Sequence, residues 1–236
     1  MGKRIIQRAR GRGGPRYRVR RRAFRFEIEY PSEHGMGKVI KLINSGGHTA
    51  PLAKIKVNDK VFYNPAFNEM IEGQEIEIGG KNINKGNILE LGNVPIGASV
   101  FNIEVNPGDG GKLIRAGGSS ALVTKKHEGK VAVMLPSKKE KWFNEKSRAT
   151  IGIVAGHGRL EKPIMKAGRK FHLMKSRGKL WPRTSAVKMN VIDHPFGSGR
   201  GKNISHGRKG KIPKRNAPPG AKVGSLRARR TGRRKK

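Results

Sequence analysis

The chain has no cysteine. Disulfide frameworks, cysteine-rich zinc sites and a thiol nucleophile are therefore excluded, and the absence fits an intracellular protein. Acidic residues are scarce. Sixteen Asp and Glu stand against 53 Lys and Arg, a formal net charge of +37 over 236 residues. A monomer with such a field repels itself unless a polyanion neutralises it. Apolar residues reach only 34%, below the globular norm, so part of the chain has no core of its own. Aromatics make up 6%, too few for base stacking to be the main force in binding. No window approaches the roughly 18 apolar residues of a membrane span. The basic N-terminus lacks the apolar run of a signal peptide.

What is present is charge, unevenly placed. Residues 1–25 hold 11 basic and no acidic side chains, and residues 162–236 hold 24 basic and one acidic, Asp193. Residues 26–161 hold 18 basic and 15 acidic. A body of net +3 is thus flanked by arms totalling +34. The arms are rich in Gly, Pro and Arg. Alone they cannot offset the entropy of ordering and are expected to order on a partner. Arginine makes forked contacts to phosphate and stacks on bases. Residues 196–236 would reach on the order of 135 Å when extended, at ~3.3 Å per residue.

The candidate phosphate contacts are therefore the arm cations. In the N-terminal arm they are Lys3, Arg4, Arg8, Arg10, Arg12, Arg16, Arg18, Arg20, Arg21 and Arg22. In the C-terminal extension they are Arg169, Lys170, Arg177, Arg183, Arg200, Lys202, Arg208, Lys209, Lys211, Lys214, Arg215, Arg227, Arg229, Arg230, Arg233 and Arg234.

The body reads as short strands broken by glycine turns. In "RFEIEY" Phe26, Ile28 and Tyr30 alternate with Glu27 and Glu29. "KIKVND" sets Ile55 and Val57 against Lys54 and Lys56, and "EIEI" sets Ile76 and Ile78 against Glu75 and Glu77. "VFNIEV" aligns Phe101, Ile103 and Val105, while "KVAVML" and "TIGIVA" add Val131, Val133, Ile151 and Ile153. Such strands point to small barrels. At roughly 60 residues each, two fit, with "ELGNVPIG" (90–97) as a seam. The fold class is mainly β. The domains are a basic arm over 1–25, a barrel over 26–90, a second over 91–161, and a basic extension over 162–236. In that extension Ile164, Ala167 or Gly168, Phe171 and Met174 fall at helical spacing. This predicts one short helix near 163–177, ended by Gly178 and Pro182, with Met165, Phe171, Met174 and Trp181 packing it on the second barrel.

Catalysis finds little support. Asp193 and His194 are adjacent, and adjacent side chains rarely form a base and its orienter. "GSGRGKN" lacks the Ser or Thr and the spacing of a phosphate loop. The seven histidines are scattered, with no carboxylate between His194 and His206 to complete a metal site. An RNA-modifying enzyme using Asp193 and His194 stays as one alternative, and a general nucleic-acid architectural protein as another.

Among polyanions, a membrane is disfavoured because neither tail carries an apolar face. DNA would call for a groove-entering motif, and none is seen. Large folded RNA suits a body with arms that order on binding.

Several strings point further. "GNVPIGASVFNIEVNPGDGGKLIRAGGSSA" (92–121), "RATIGIVAGHGR", "KAGRK", "WPRTSAVKMN", "DHPFGSG" and "RNAPPGAKVGSLRARRTGR" resemble the universal L-two family of large ribosomal subunit proteins, over about residues 20 to 233. "RNAPPG" followed by "KVG", and the short N-terminus, look archaeal or eukaryotic-like. The resemblance implies an OB-like barrel followed by an SH3-like barrel with extended tails, direct binding to large-subunit rRNA, and roles in assembly and subunit association. It implies a cytoplasmic ribosomal location, no catalysis by the protein itself, and no cofactor beyond magnesium carried by the rRNA. The implied partners are large-subunit rRNA, neighbouring ribosomal proteins and small-subunit rRNA at the interface. It also implies that a C-terminal loop approaches the peptidyl-transferase centre. Matched to the family's N-P-V-D-H-P-H-G-G-G pattern, Asn190, Asp193, His194, Pro195, Gly197 and Gly199 carry over. Val191 and Ile192 depart from the pattern, as do Phe196, in place of the second histidine, and Ser198. His194 is expected to hold loop or RNA geometry through hydrogen bonds.

Overall fold

The computed structural model describes residues 12–190, 192–194 and 196–197. Residues 19–178 form one unit, and residues 12–18 with those from 179 onward belong to another. Outside the described residues lie Lys3, Arg4, Arg8, Arg10, Pro195, Gly199, Arg200, Lys202, Arg208, Lys209, Lys211, Lys214, Arg215, Arg227, Arg229, Arg230, Arg233 and Arg234.

The larger unit is built on ten strands, β1 (Gly35–Ile43), β2 (Leu52–Val57), β3 (Lys60–Pro65), β4 (Glu75–Ile78), β5 (Ile88–Glu90), β6 (Ser99–Phe101), β7 (Ala121–His127), β8 (Lys130–Met134), β9 (Glu140–Asn144) and β10 (Arg148–Ile151). They join in one sheet ordered β3-β2-β1-β4-β5-β10-β6-β7-β8-β9. All pairs are antiparallel except β4 with β5, which meet in parallel at Ile78 and Ile88. The fold is thus mainly β, as the alternation indicated.

That sheet serves two cores. One gathers Val39, Ile55, Val57, Phe67, Ile76 and Ile78. The other gathers Leu91, Val94, Val123, Val131, Val133 and Phe143. Burying each such side chain stabilises by about 1.5–3 kcal/mol. The middle strands contribute to both, because successive side chains on a strand point to opposite faces. On β5, Ile88 enters the first core and its neighbour Leu89 the second. On β6, Val100 enters the second and Phe101 the first. The segment 90–97, marked as a seam in the sequence, buries Leu91 and Val94 in the second core.

The structure departs from the sequence reading in four places, three in strands and one in the packing of the helix. "RFEIEY" is not a strand. Ile28 makes a single parallel bridge to Tyr63, although Ile28 and Tyr30 are buried as the alternation required. In "VFNIEV" the alignment breaks after Phe101, since Asn102 sits at φ 47°. The turn sends Phe101 to the first core and Ile103 to the second. "TIGIVA" breaks likewise at Gly152, φ 119°, so Ile151 is buried and Ile153 exposed. The helix forms as α1 (Ala167–Ser176). It ends at Gly178, whose φ of 63° suits glycine, with the Gly178 N–H donating to the Lys175 carbonyl at 3.1 Å. It buries no residue, however. Met165 is 84% exposed and Phe171 41%, so these side chains do not pack on the second core. That core is filled by strand and loop residues from Leu89 to Ile151, and the lysine- and arginine-rich α1 has no broad apolar stripe to add.

Candidate nucleic-acid interface

Where the cores meet, the sheet encloses polar groups whose hydrogen bonds run in one direction. Arg115 Nε donates to Asn102 Oδ1 at 2.7 Å, and Asn102 Nδ2 to Asn64 Oδ1 at 2.8 Å. Asn64 Nδ2 donates to Thr150 Oγ1 at 3.1 Å. The Thr150 hydroxyl meets the Tyr30 hydroxyl at 2.7 Å, and Tyr30 donates back to the Asn102 carbonyl at 2.7 Å. Since Tyr30 spends its proton on that carbonyl, Thr150 donates to Tyr30, and the circuit returns to the residue it passed through. The left-handed turn at Asn102 is what turns both its amide and its carbonyl into this circuit. Burial pushes the Tyr30 phenol far up and lowers the pKa of Arg115.

Beside it lies a buried ion pair. Glu104 is fully buried, and Arg148 is 11% exposed. Arg148 Nη2 and Nε reach Glu104 Oε1 at 2.9 and 3.2 Å, and the Arg148 N–H reaches Oε2 at 2.8 Å. The N–H groups of Gly108 and Gly110 donate to the same carboxylate, each at 3.2 Å. Arg148 Nη1 also donates to the Pro31 carbonyl at 2.6 Å. Arg159 Nε donates to the Gly117 carbonyl at 2.8 Å. Arg115 and Arg148 are therefore occupied inside the body, and the exposed Arg159 is tied to the Gly117 carbonyl at its surface. None was a candidate phosphate contact, and the polar seam itself was not legible as a motif.

The candidate cations behave otherwise. In the larger unit Arg20, Arg21, Arg22 and Arg169 are exposed, while Lys170 and Arg177 are half-buried on α1 and at its end. The N-terminal arm is rooted where Ala23 turns inward. The Ala23 carbonyl accepts from the Gly47 N–H at 2.6 Å and from Ser45 Oγ at 3.2 Å, and Phe24 lies edge-on to His48 at 4.9 Å. A side chain on Gly47 would collide with that carbonyl. In the other unit Arg12, Arg16, Arg18 and Arg183 are exposed, and Arg18 Nε donates to the Gly13 carbonyl at 2.8 Å. Among the described residues no three His, Asp or Glu side chains converge to hold a metal ion.

The loop singled out by its Asp-His pair forms a tight turn. The Asn190 carbonyl accepts from the N–H groups of both Asp193 and His194, at 3.0 and 3.1 Å, and the Gly197 N–H donates to the His194 carbonyl at 2.8 Å. A Cβ on Gly197 would strike the carbonyl oxygens of Met189 and Asn190. Only glycine lets the chain pass so close. The His194 ring is buried, tilted against Phe196 at 5.1 Å, and its Nδ1 accepts the Phe196 N–H at 3.0 Å. That bond needs a neutral ring with the proton on Nε2. Phe196 thus holds the His194 ring through its backbone N–H and its own ring.

Burial, with the nearby Arg183 charge, lowers the His194 pKa below the ordinary value of about 6.5. The sign follows. The folded loop binds fewer protons than the unfolded chain, so this contribution is complete above about pH 6.5 and is lost as pH falls through the lowered folded value. In an NMR titration the His194 ring should show a midpoint below 6.5, and the Phe196 amide should exchange faster with solvent below that midpoint. A midpoint at or above 6.5 would mean that burial and the Arg183 charge do not hold the ring neutral.

The family model described as Ribosomal Proteins L2, C-terminal domain, matches residues 84–215. A large ribosomal subunit protein uL2 from Archaeoglobus fulgidus is 44% identical over 237 residues, covering 98% of this chain and 99% of its own. The protein of the same name from Hyperthermus butylicus is 45% identical over 242 residues, covering all of both chains. That from Methanococcus maripaludis is 43% identical over 243 residues, covering 99% and 100%. With similarity running almost from end to end, the chain belongs to the L2 family of ribosomal proteins, in its archaeal-like form.

Proposed function

We propose that this chain is a structural constituent of the large ribosomal subunit that binds its rRNA directly. The observation that carries the reading is the segregation of charge in a member of this family. The body carries +3 and the arms +34, a distribution suited to a positioned core whose extremities neutralise phosphate. Affinity then comes chiefly from counterion release, and fit comes from backbone approach at glycines such as Gly197. The protein supports assembly and subunit association. Its 190–199 loop serves as scaffold near the peptidyl-transferase centre, with the catalysis left to RNA. The compact turn around a neutral, hydrogen-bonded His194 supports a holding role over proton transfer.

The ten-stranded sheet is proposed to wrap as an OB-like barrel over 26–90 and an SH3-like barrel over 91–161. The two cores support this, and the bridge from Phe67 to Val154 ties the two halves together. The working location is the cytoplasmic ribosome. The partners are large-subunit rRNA, adjoining ribosomal proteins and small-subunit rRNA at the interface, and magnesium enters only with the rRNA.

Sucrose-gradient sedimentation of ribosomal particles tests this. The native protein should appear at one copy per large subunit by quantitative mass spectrometry. Recovery in ribosome-free fractions, or equal affinity for duplex DNA and folded rRNA in competition at physiological salt, would replace it with a general architectural role.

A further inference from the structure

We propose that the outer face of β7, β8 and β9 is a stacking platform for an unpaired RNA base, with Trp142 as the ring and Lys125, His127 and Lys130 as its phosphate contacts. The inference rests on the rRNA-binding reading above and adds a contact on the body, where that reading had placed contacts only in the arms.

Register fixes the layout. Ala132 lies across from Trp142 on one side and from Lys125 on the other. Lys130 pairs with His127 and with Asn144, and Met134 with Leu122 and Glu140. Directly opposed residues share a face of the sheet, so Trp142, Ala132, Lys125, Lys130 and His127 stand together. The opposite face carries Val123, Val131, Val133 and Phe143 into the second core. Trp142 is 48% exposed on the edge strand β9, where only Phe143 is buried. The alanine opposite is small and completely buried.

The charge of the body is concentrated here. Residues 124–146 hold seven Lys and three Glu, a net +4, against +3 for the whole of 26–161. The rest of the body therefore nets −1. Of these lysines Lys125 and Lys130 share the face of Trp142, whereas Lys126 donates to the Gly92 carbonyl and Lys141 lies over the Phe143 ring. Lys125 meets Glu140 at 3.9 Å with both side chains open to water, a weak pair that a phosphate can displace. Protein interfaces are depleted in lysine at their centre, whereas an aromatic ring among cations is how single-stranded nucleic acid is held. Alanine in place of such a ring costs roughly five- to 150-fold in affinity per stacked base.

The full chain carrying Trp181→Phe keeps Trp142 as its only indole. Titration with octaadenylate should quench its emission saturably. An abasic ribose-phosphate oligomer of equal length and charge, bound equally by the arms, should leave the emission unchanged. An octamer carrying 2-aminopurine should be quenched by the parent and by Trp142→Phe, and that quenching should be lost in Trp142→Ala. Equal responses to both oligomers, or unaltered 2-aminopurine quenching in Trp142→Ala, overturns the proposal. So does a cross-link from position 142 to a protein in purified large subunits together with no quenching by octaadenylate, which would make this face a protein contact. Co-sedimentation of Trp142→Ala with large subunits keeps a negative result here distinct from failure of the wider reading.

Discussion

Titrated against folded large-subunit rRNA, the intact chain should lose affinity with a log–log salt slope of roughly −7 if about ten arm cations reach phosphate, each contributing about −0.7 for RNA that is not regular duplex. Between 50 and 200 mM salt this is a loss of about 10,000-fold. A chain lacking residues 1–11 and 198–236 drops 19 Lys and Arg and no acid. Its slope should be shallow, and its affinity at low salt should fall by several powers of ten. The truncation removes sixteen of the 26 candidate contacts and keeps ten, so the slope flattens without vanishing, and the arginines of the body have partners of their own. Arg115 and Arg148 hold the seam, and Arg159 holds the Gly117 carbonyl. Filter binding across a salt series reads both chains directly. An unchanged slope in the truncated chain would show that the arms are not the contacts.

Replacing Glu104 by alanine should destabilise the body by about 3–5 kcal/mol, the cost of stranding one partner of a buried pair. Arg148 would keep its charge at 11% exposure, and the N–H groups of Gly108 and Gly110 would lose their acceptor. For a unit of this size the melting temperature should fall by roughly 6–20 °C. The double replacement Glu104→Leu with Arg148→Met should cost less than Glu104→Ala alone, since no charge is then stranded. Circular dichroism melts of the three chains distinguish the cases. A loss below about 1 kcal/mol in Glu104→Ala would mean that water reaches the pair and solvates it.

Much of this was legible because composition speaks loudly. The alternation in "KIKVND" and "EIEI" put Ile55, Val57, Ile76 and Ile78 inward, and all four are buried. The helix was placed within a few residues and its glycine stop was found. What escaped notice had physical causes. In β1, two glycines and a bulge between Val39 and Lys41 blur the period. In β3 a buried asparagine, Asn64, breaks the apolar pattern because its partners lie 38 and 86 residues away. In β9 the exposed Trp142 and buried Phe143 adjoin, so hydrophobicity alone does not say which faces in. Asn102 reads as an ordinary strand residue until its backbone is seen turning left-handed. The loop at 190–197 was found from its glycines and its Asp-His pair. That Phe196 should be the residue fixing His194 depends on a backbone N–H, which no side-chain pattern announces. The charge around Trp142 was hidden by averaging over 136 residues whose local excesses cancel.

One consequence follows from β5, β6 and β10 standing between the two cores. Neither half owns a complete wall. A cut after residue 90 would deprive Ile88 of Phe101 and Val154 on one side, and would strip Leu89 from Val100 and Ala149 on the other. The two lobes are therefore bound to rise and fall as one cooperative body. Damage to either lobe is felt throughout residues 19–178.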